Sequence, residues 1–233
     1  PFVLPEITLG VIPGAGGTQR MPRLIGVERT LDLILDAKPV DAATAVKLGF
    51  LDEVVDGELR TAALAYVTRL VAAGRGPRRT SERNVDPASA TDEIIERFRK
   101  RAAQQYPNRR APLTAIEAVA AAARMPLETG LEYETRLANE AKATDEARAL
   151  VHVFFAERAT RKVPDVPPDA KARPVKSGAV VGSGTMGGGI AMCFANAGLP
   201  VTLLDASREA LDRGLAVVER NYDSMVKRGR IEP

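Results

Sequence analysis

Apolar residues recur at helical spacing along most of the chain. Within residues 27–37, Leu31, Ile34 and Leu35 fall on one side of a helix. Asp41 precedes the next such stretch as a capping residue, and Gly49 ends that stretch. The predicted helices are a short one from residue 18, then 27–37, 41–48, 57–73, 91–105, 113–124, 127–161 with a break near residue 144, 185–197 and 207–227. The chain is therefore predicted to be mostly helical.

Short apolar runs bounded by glycine or proline predict strands. These runs are residues 2–11, 51–55, 178–181 and 201–204. Pro5 and Glu6 interrupt the first run. The last two runs alternate with helices in the order strand, helix, strand, helix, which is typical of parallel strands. We therefore predict the α/β fold class.

Changes in composition divide the chain into segments. Residues 74–88 are rich in glycine, proline, arginine and serine, and residues 163–174 contain four prolines. The predicted segments are a first globular part at 1–74, a helical connector region at 75–162, a linker at 163–175 and a second globular part at 176–233.

Composition excludes several classes of protein. With 45% hydrophobic and 27% charged residues, the chain has the composition of a soluble globular protein. Its longest apolar runs are far shorter than the roughly 20 residues that cross a bilayer, so no membrane span is expected. Because 33 basic residues face 30 acidic ones and only 4% of residues are aromatic, no nucleic-acid partner is expected either. The chain begins with Pro1 rather than methionine, and we interpret it as an internal fragment.

A glycine-rich turn between a strand and a helix carries the strongest chemical signal. The turn is Gly182, Ser183, Gly184, Thr185, Met186 and Gly187, the pattern G-x-G-x-x-G. Asp205 ends the next strand at a spacing typical of the acid that accepts the ribose hydroxyls of a dinucleotide. These seven residues are the predicted cofactor-binding residues. An aspartate would repel a 2′-phosphate, so NAD is favoured over NADP; the alternative is a turn that binds nothing.

The same segment resembles the opening of the 3-hydroxyacyl-CoA dehydrogenases. Residues 178–187 and 194–198 carry the resemblance. It implies a Rossmann domain that starts at about residue 176 and uses NAD. The catalytic histidine and glutamate of that family lie beyond the end of this chain, so hydride transfer is implied for a parent enzyme.

Residues 4–20, LPEITLGVIPGAGGTQR, resemble the second active-site segment of the crotonase family. The resemblance implies that Glu6 is a catalytic residue that exchanges a proton with the α-carbon of an enoyl-CoA. Leu4, Ile7 and Leu9 would withdraw water from its carboxylate and raise its pKa. The family's second glutamate and oxyanion donors come from segments before Pro1, and hydratase and double-bond isomerase activities stay open.

Several other features invite a functional interpretation that we do not favour. Residues 14–17 lack the lysine of a phosphate loop, and we interpret them as a structural turn near the acyl-CoA pocket. His152 has no second ligand at helical spacing, so no metal site is predicted. Cys193 is interpreted as a core residue. The arginines of the run 75–83 could contact coenzyme A phosphates, but a solvated connector is favoured.

The order of these segments resembles the bifunctional enoyl-CoA hydratase/3-hydroxyacyl-CoA dehydrogenases of fatty-acid β-oxidation. The implied fold is the C-terminal part of a crotonase-type β/α spiral, a helical connector and the first β-α-β-α of a Rossmann domain. The resemblance implies an acyl-CoA thioester substrate and a thiolase subunit as partners. Strand edges that would be unpaired if the chain folded alone predict association with a second copy of the chain. A non-catalytic fragment that binds NAD or acyl-CoA is the alternative. A bacterial cytoplasm is expected from the alanine and arginine content, with a peroxisome as the alternative.

Overall fold

The computed structural model describes residues 1–160, 163–167, 169–171 and 173–232. The chain divides into two compact units, Pro1–Val163 and Pro164–Pro233. The predicted linker starts at this boundary, and its residues 168 and 172 lie outside the described residues.

The first unit is built from helices. They are α1 (Gly17–Ile25), α2 (Val27–Asp36), α3 (Ala42–Leu48), α4 (Leu59–Ala72), α5 (Asp92–Gln105), α6 (Ala111–Ala121), α7 (Leu127–Lys142) and α8 (Asp145–Ala159), with 3₁₀ helices at Glu6–Leu9, Thr80–Glu82 and Pro87–Ala90. The predicted helices of this unit are therefore present, with ends that differ from the predictions by a few residues.

Side-chain caps define several helix ends. Asp41 accepts a hydrogen bond from the Thr44 N–H at 2.7 Å, which starts α3 as predicted. Thr144 accepts a hydrogen bond from the Ala147 N–H at 3.1 Å and so begins α8. The break predicted near residue 144 is confirmed, because Ala143 closes α7 immediately before this cap.

The core of the first unit lies where α6 packs against α1, α2 and α7. Ile116 and Val119 of α6 are fully buried, as are Leu31 and Ile34 of α2. The segment that we predicted as a connector thus supplies a central helix of this core. Each buried aliphatic side chain contributes about 1.5–3 kcal/mol relative to an exposed one.

Two predicted strands of the first unit do not form. Phe2 makes one isolated antiparallel bridge with Val40, and the chain then enters the 3₁₀ helix at Glu6–Leu9. Pro5 fixes the backbone just before this helix and has no N–H to give to a strand partner. Residues 51–55 have no strand partner among the described residues and adopt no regular structure. Apolar composition alone therefore did not predict these two segments correctly, because a strand also needs a second strand with which to form hydrogen bonds.

The second unit contains β1 (Gly178–Val181), α9 (Thr185–Asn196), β2 (Val201–Leu204) and α10 (Arg208–Lys227). The two strands pair in parallel, with Gly178 opposite Val201 and Val181 opposite Leu204. A parallel pair joined by a crossover helix is the β-α-β-α order predicted for the start of a Rossmann domain. The α/β fold class is confirmed.

Within the described residues, no helix is long and apolar enough to cross a membrane.

Candidate functional site

Glu6 is the first residue of the short 3₁₀ helix, which Gly10 ends in the left-handed conformation at φ +73°. This helix contacts α8 closely, because a Cβ added to Gly10 would lie 2.9 Å from the Ala147 Cα. Ile7, beside Glu6, is fully buried. The position of Glu6 therefore depends on the packing between its short helix and the start of α8.

The carboxyl group of Glu6 is half-buried. Its Oε2 atom is buried and has no hydrogen-bond partner among the described residues. Burial raises the pKa of Glu6, its own backbone N–H lowers it in part, and the nearby Glu134 carboxylate raises it further. The direction agrees with the sequence prediction and suits a group that must accept and return a proton near neutral pH.

Glu134 is a buried carboxylate that sequence reasoning missed. It is 1% exposed, and it accepts hydrogen bonds from the Gly16 N–H at 2.5 Å, the Thr18 N–H at 2.9 Å and the Thr18 hydroxyl at 2.6 Å. These donors lie at the start of α1, where Gly16 has no side chain to act as a cap. The acid on α7 therefore caps α1 from another part of the chain.

The turn at residues 14–17 is structural. Gly16 has φ +91°, and a Cβ on Gly14 would lie 2.8 Å from the Ala138 Cβ. The Gly16 N–H already bonds to Glu134, so a donor that a phosphate would need is occupied by a carboxylate. The arrangement agrees with our interpretation that this is not a nucleotide loop.

The second candidate site is the turn between β1 and α9, in the second unit. Gly182 has φ +95°, and its N–H donates to the Leu204 carbonyl at 2.7 Å. A Cβ on Gly187 would lie 1.7 Å from the Gly182 carbonyl oxygen, so only glycine allows this approach. A Cβ on Gly184 would meet no atom within 4 Å, which leaves open space beside the turn.

The start of α9 offers unpaired donors. Within the part of the chain that the structure describes, the N–H groups of Gly184, Thr185, Met186 and Gly187 have no backbone or side-chain acceptor. Met186 is 76% exposed. Four unpaired N–H groups beside open space are the arrangement that binds phosphates at a helix N-terminus.

Ser183 and Asp205 contact each other rather than facing the turn separately. Ser183 is 3% exposed, and its N–H and hydroxyl donate to Asp205 Oδ2 at 2.7 and 2.5 Å. The Ala206 N–H donates to Asp205 Oδ1 at 2.7 Å. These bonds, those from Ser183 above all, hold the pKa of Asp205 below its usual range. The sequence placed both residues at the site but did not indicate this contact.

Three other features noted in the sequence have exposed residues: His152, Cys193 and, in the basic run, Arg78. His152 is exposed, and the described residues contain no group of three or more metal-binding side chains. The prediction that Cys193 is a core residue is wrong, because it is exposed. Arg78, in the basic run, is paired with Asp52 at 2.7 Å.

Comparisons with known protein families identify two segments. Residues 1–88 match the family model described as enoyl-CoA hydratase/isomerase. Residues 177–233 match the model described as 3-hydroxyacyl-CoA dehydrogenase, NAD binding domain. The second match confirms NAD as the cofactor of the family domain found in this part of the chain.

Curated relatives align with almost the whole chain. The glyoxysomal fatty acid beta-oxidation multifunctional protein MFP-a of Brassica napus is 37% identical over 233 residues, covering 98% of this chain and 32% of the relative. The peroxisomal bifunctional enzyme of Cavia porcellus is 36% identical over 231 residues, covering 97% of this chain and 32% of the relative. The human peroxisomal bifunctional enzyme is 36% identical over 235 residues, with the same coverage. The chain thus spans about a third of the length of these relatives.

Both segments occur in the order that the sequence resemblance predicted. The chain therefore contains a segment that belongs to the enoyl-CoA hydratase/isomerase family, followed by a segment that belongs to the NAD-binding domain family of the 3-hydroxyacyl-CoA dehydrogenases.

Proposed function

We propose that the chain is part of an enzyme that hydrates trans-2-enoyl-CoA and oxidises the resulting 3-hydroxyacyl-CoA with NAD. The observation that carries this proposal is the presence of both family segments in one chain. The names of the relatives, which describe fatty-acid β-oxidation multifunctional proteins and bifunctional enzymes, support it. An acyl-CoA thioester is accordingly the proposed substrate.

The turn at Gly182 is the proposed NAD site. Its unpaired N–H groups from Gly184 to Gly187 would bind the pyrophosphate, and the Asp205 carboxylate would accept a hydrogen bond from a ribose hydroxyl. Gly182 and Gly187 allow the turn to approach the helix closely. Thr185 and Met186 contribute backbone donors, whereas the Ser183 side chain faces Asp205. When bound, NAD would accept the hydride from the 3-hydroxyacyl group.

Glu6 is the proposed proton-transfer residue of the hydration step. The rise in its pKa keeps part of the group protonated closer to neutral pH, so it can both give and take a proton. Hydration adds the water oxygen to the β-carbon of the enoyl group and a proton to the α-carbon, and Glu6 would deliver that proton. An isomerase would instead move a proton between carbons with the same carboxylate.

Assembly and location are further parts of the proposal. Helix α4 has no buried residue, and Leu59, Leu64 and Val71 on it are more than half exposed, which supports association with a second copy of the chain. A thiolase partner rests on the resemblance alone. The names of the relatives favour the peroxisomal alternative, whereas the bacterial cytoplasm rests on composition.

The proposed segments keep the boundaries predicted from the sequence: a crotonase part at 1–74, a helical connector region at 75–162, a linker at 163–175 and a Rossmann start at 176–233. The compact first unit supports a close association between the first two of these segments.

Calorimetric titration of the chain with NAD tests the cofactor site. We expect micromolar binding, weaker binding of NADP, and a loss of at least about tenfold in affinity in Asp205→Ala, because the charged acceptor of the ribose is removed. Equal binding of NAD by the wild type and the variant would contradict the proposed role of Asp205.

Hydration by the full-length protein that contains this chain tests Glu6. The variant Glu6→Gln keeps the size of the side chain but cannot exchange a proton, so kcat should fall by about 10²–10⁴. Unchanged hydration would remove Glu6 from the mechanism. A wild-type protein that shifts the double bond of an enoyl-CoA but does not hydrate it would favour the isomerase alternative.

A further inference from the structure

Ser183 occupies an unusual place in the glycine-rich turn. The middle position between Gly182 and Gly184 could direct its side chain to solvent, yet Ser183 is 3% exposed. Both of its polar hydrogens are directed at one atom, Asp205 Oδ2, from the N–H at 2.7 Å and from the hydroxyl at 2.5 Å. A serine in the turn is therefore joined to the acid that ends β2.

Helix α10 holds Ser183 in this place from the other side. A Cβ on Gly214 would lie 2.4 Å from the Ser183 Cβ, so the helix backbone presses directly on the serine. The hydroxyl oxygen also lies 3.0 Å from the Ala210 carbonyl. The hydroxyl has one hydrogen, and it donates to Asp205 because that acceptor is closer and charged.

The contact determines which part of Asp205 can reach a ligand. A carboxylate has about four acceptor positions. The two donors of Ser183 fill those of Oδ2, and the Ala206 N–H takes one on Oδ1 at 2.7 Å. One position on Oδ1 is left for a further donor, and the carboxylate cannot rotate without losing three hydrogen bonds.

We propose that Ser183 is a positioning residue that selects dinucleotides with a free ribose 2′-hydroxyl, because it fixes Asp205 with a single acceptor position open to that hydroxyl. The inference rests on the proposed NAD site and extends it. Ser183 acts through Asp205 and need not touch the nucleotide. A nucleotide with a 2′-phosphate finds a fixed negative charge and no compensating donor from the serine.

The variant Ser183→Ala in the 233-residue chain tests the inference. It removes the hydroxyl bond and keeps the N–H bond, so Asp205 becomes less constrained. We expect the Kd for NADH to rise about tenfold, the Kd for NADPH to change little, and the NADH preference to fall by the same factor. Fluorescence titration with each nucleotide measures both constants.

Ser207→Ala is the matched control. Ser207 caps α10 by accepting a hydrogen bond from the Ala210 N–H at 3.2 Å, and it forms no hydrogen bond with Asp205. Like Ser183→Ala, the variant Ser207→Ala removes one serine hydroxyl, and it removes the cap of α10. Any effect on nucleotide binding that comes from a less stable α10 should therefore appear in Ser207→Ala as well. We expect its ratio of NADH to NADPH affinity to equal that of the wild type.

A second readout does not depend on the nucleotide. The hydrogen bonds from Ser183 are the largest cause of the lowered pKa of Asp205, so this pKa, followed by NMR of the carboxyl carbon, should rise in Ser183→Ala and stay unchanged in Ser207→Ala. As the pH is lowered, Asp205 should therefore take up its proton at a higher pH in Ser183→Ala than in the wild type. NADH binding should then weaken at that higher pH.

The outcomes separate the inference from the proposed function. If the wild type binds NADH and Ser183→Ala shows the wild-type preference or the wild-type pKa of Asp205, the inference is overturned and the NAD site stands. If the wild-type chain binds neither nucleotide, the proposed NAD site fails and the inference fails with it.

Discussion

Glu134 and Thr18 lie 116 residues apart in the sequence, yet Glu134 Oε2 accepts hydrogen bonds from both the Thr18 N–H, at 2.9 Å, and the Thr18 hydroxyl, at 2.6 Å. Glu134 Oε1 accepts a third from the Gly16 N–H. A buried carboxylate is tolerated when donors surround it. This one joins α7 to the start of α1, close enough to Glu6 for its charge to raise the pKa of Glu6.

Replacing Glu134 should destabilise the first unit. Glu134→Gln keeps the shape but turns an NH₂ group toward N–H donors, so at least one buried donor loses its acceptor. We expect a loss of about 2–4 kcal/mol in the free energy of unfolding, measured by urea denaturation followed by circular dichroism.

The control for this variant is Glu132→Gln, an exposed glutamate on the same helix. It should change stability by less than about 0.5 kcal/mol. Equal stabilities of the two variants would show that the Glu134 hydrogen bonds contribute nothing net. Because the Glu134 charge raises the pKa of Glu6, that pKa should fall in Glu134→Gln.

Glu6 gives a prediction about pH. Its pKa is raised in the folded chain, so the folded state binds its proton more tightly than the unfolded state, where the pKa is about 4.3. Its destabilising effect is absent below pH of about 4.3 and is complete above the folded-state pKa. Glu6→Gln should therefore match the wild type in acid and be more stable than the wild type at neutral pH.

Urea denaturation at a series of pH values measures this difference. A difference that is largest in acid, or one that does not change with pH, would contradict the raised pKa. Glu132→Gln, which changes an exposed glutamate on α7, again serves as the control.

The sequence predicted helices better than strands for a physical reason. The cap at Thr144 is local, so the break between α7 and α8 could be found from neighbouring residues. A strand depends on a partner strand elsewhere in the chain. Among the described residues, the apolar run at 2–11 forms a single isolated bridge, between Phe2 and Val40. The strands β1 and β2 were predicted correctly because each comes with a crossover helix whose pattern is also visible.

The candidate sites show the same limit. Glycines at 182 and 187 could be predicted because the turn itself requires them. Glu134 could not, because it is one of several acids in α7 and its donors are more than 100 residues away. The contact between Ser183 and Asp205 could not be predicted either, because the sequence gives the spacing of residues but not the direction in which a side chain points.

Two glycines of α9 should respond in opposite ways to the same substitution. In Gly187→Ala the new Cβ would lie 1.7 Å from the Gly182 carbonyl oxygen, and we expect a loss of about 3 kcal/mol. In Gly189→Ala no atom lies within 4 Å of the new Cβ, and alanine should stabilise α9 by about 0.5–1 kcal/mol. Hydrogen exchange of the α9 amides, followed by mass spectrometry, reports both changes locally. A loss of protection in both variants would contradict the prediction.

Gly10 tests the packing of the helix that carries Glu6. Gly10→Ala combines a left-handed backbone, which costs about 1 kcal/mol, with a Cβ placed 2.9 Å from the Ala147 Cα. Gly49 also has a left-handed backbone, with φ +94°, but no atom lies within 4 Å of the Cβ that Gly49→Ala would add. We expect Gly10→Ala to lose about 1–3 kcal/mol more than Gly49→Ala in urea denaturation. Equal losses would show that contact with α8 does not hold this helix.

The shared core of the first unit has a practical consequence for chimeric proteins. Ile116 and Val119 of α6 are buried together with Leu31 and Ile34 of α2, so a junction placed near residue 74 would give each half of that core to a different parent. Shuffled genes cut there should yield insoluble products, whereas junctions at the Val163/Pro164 boundary should leave each parental core intact.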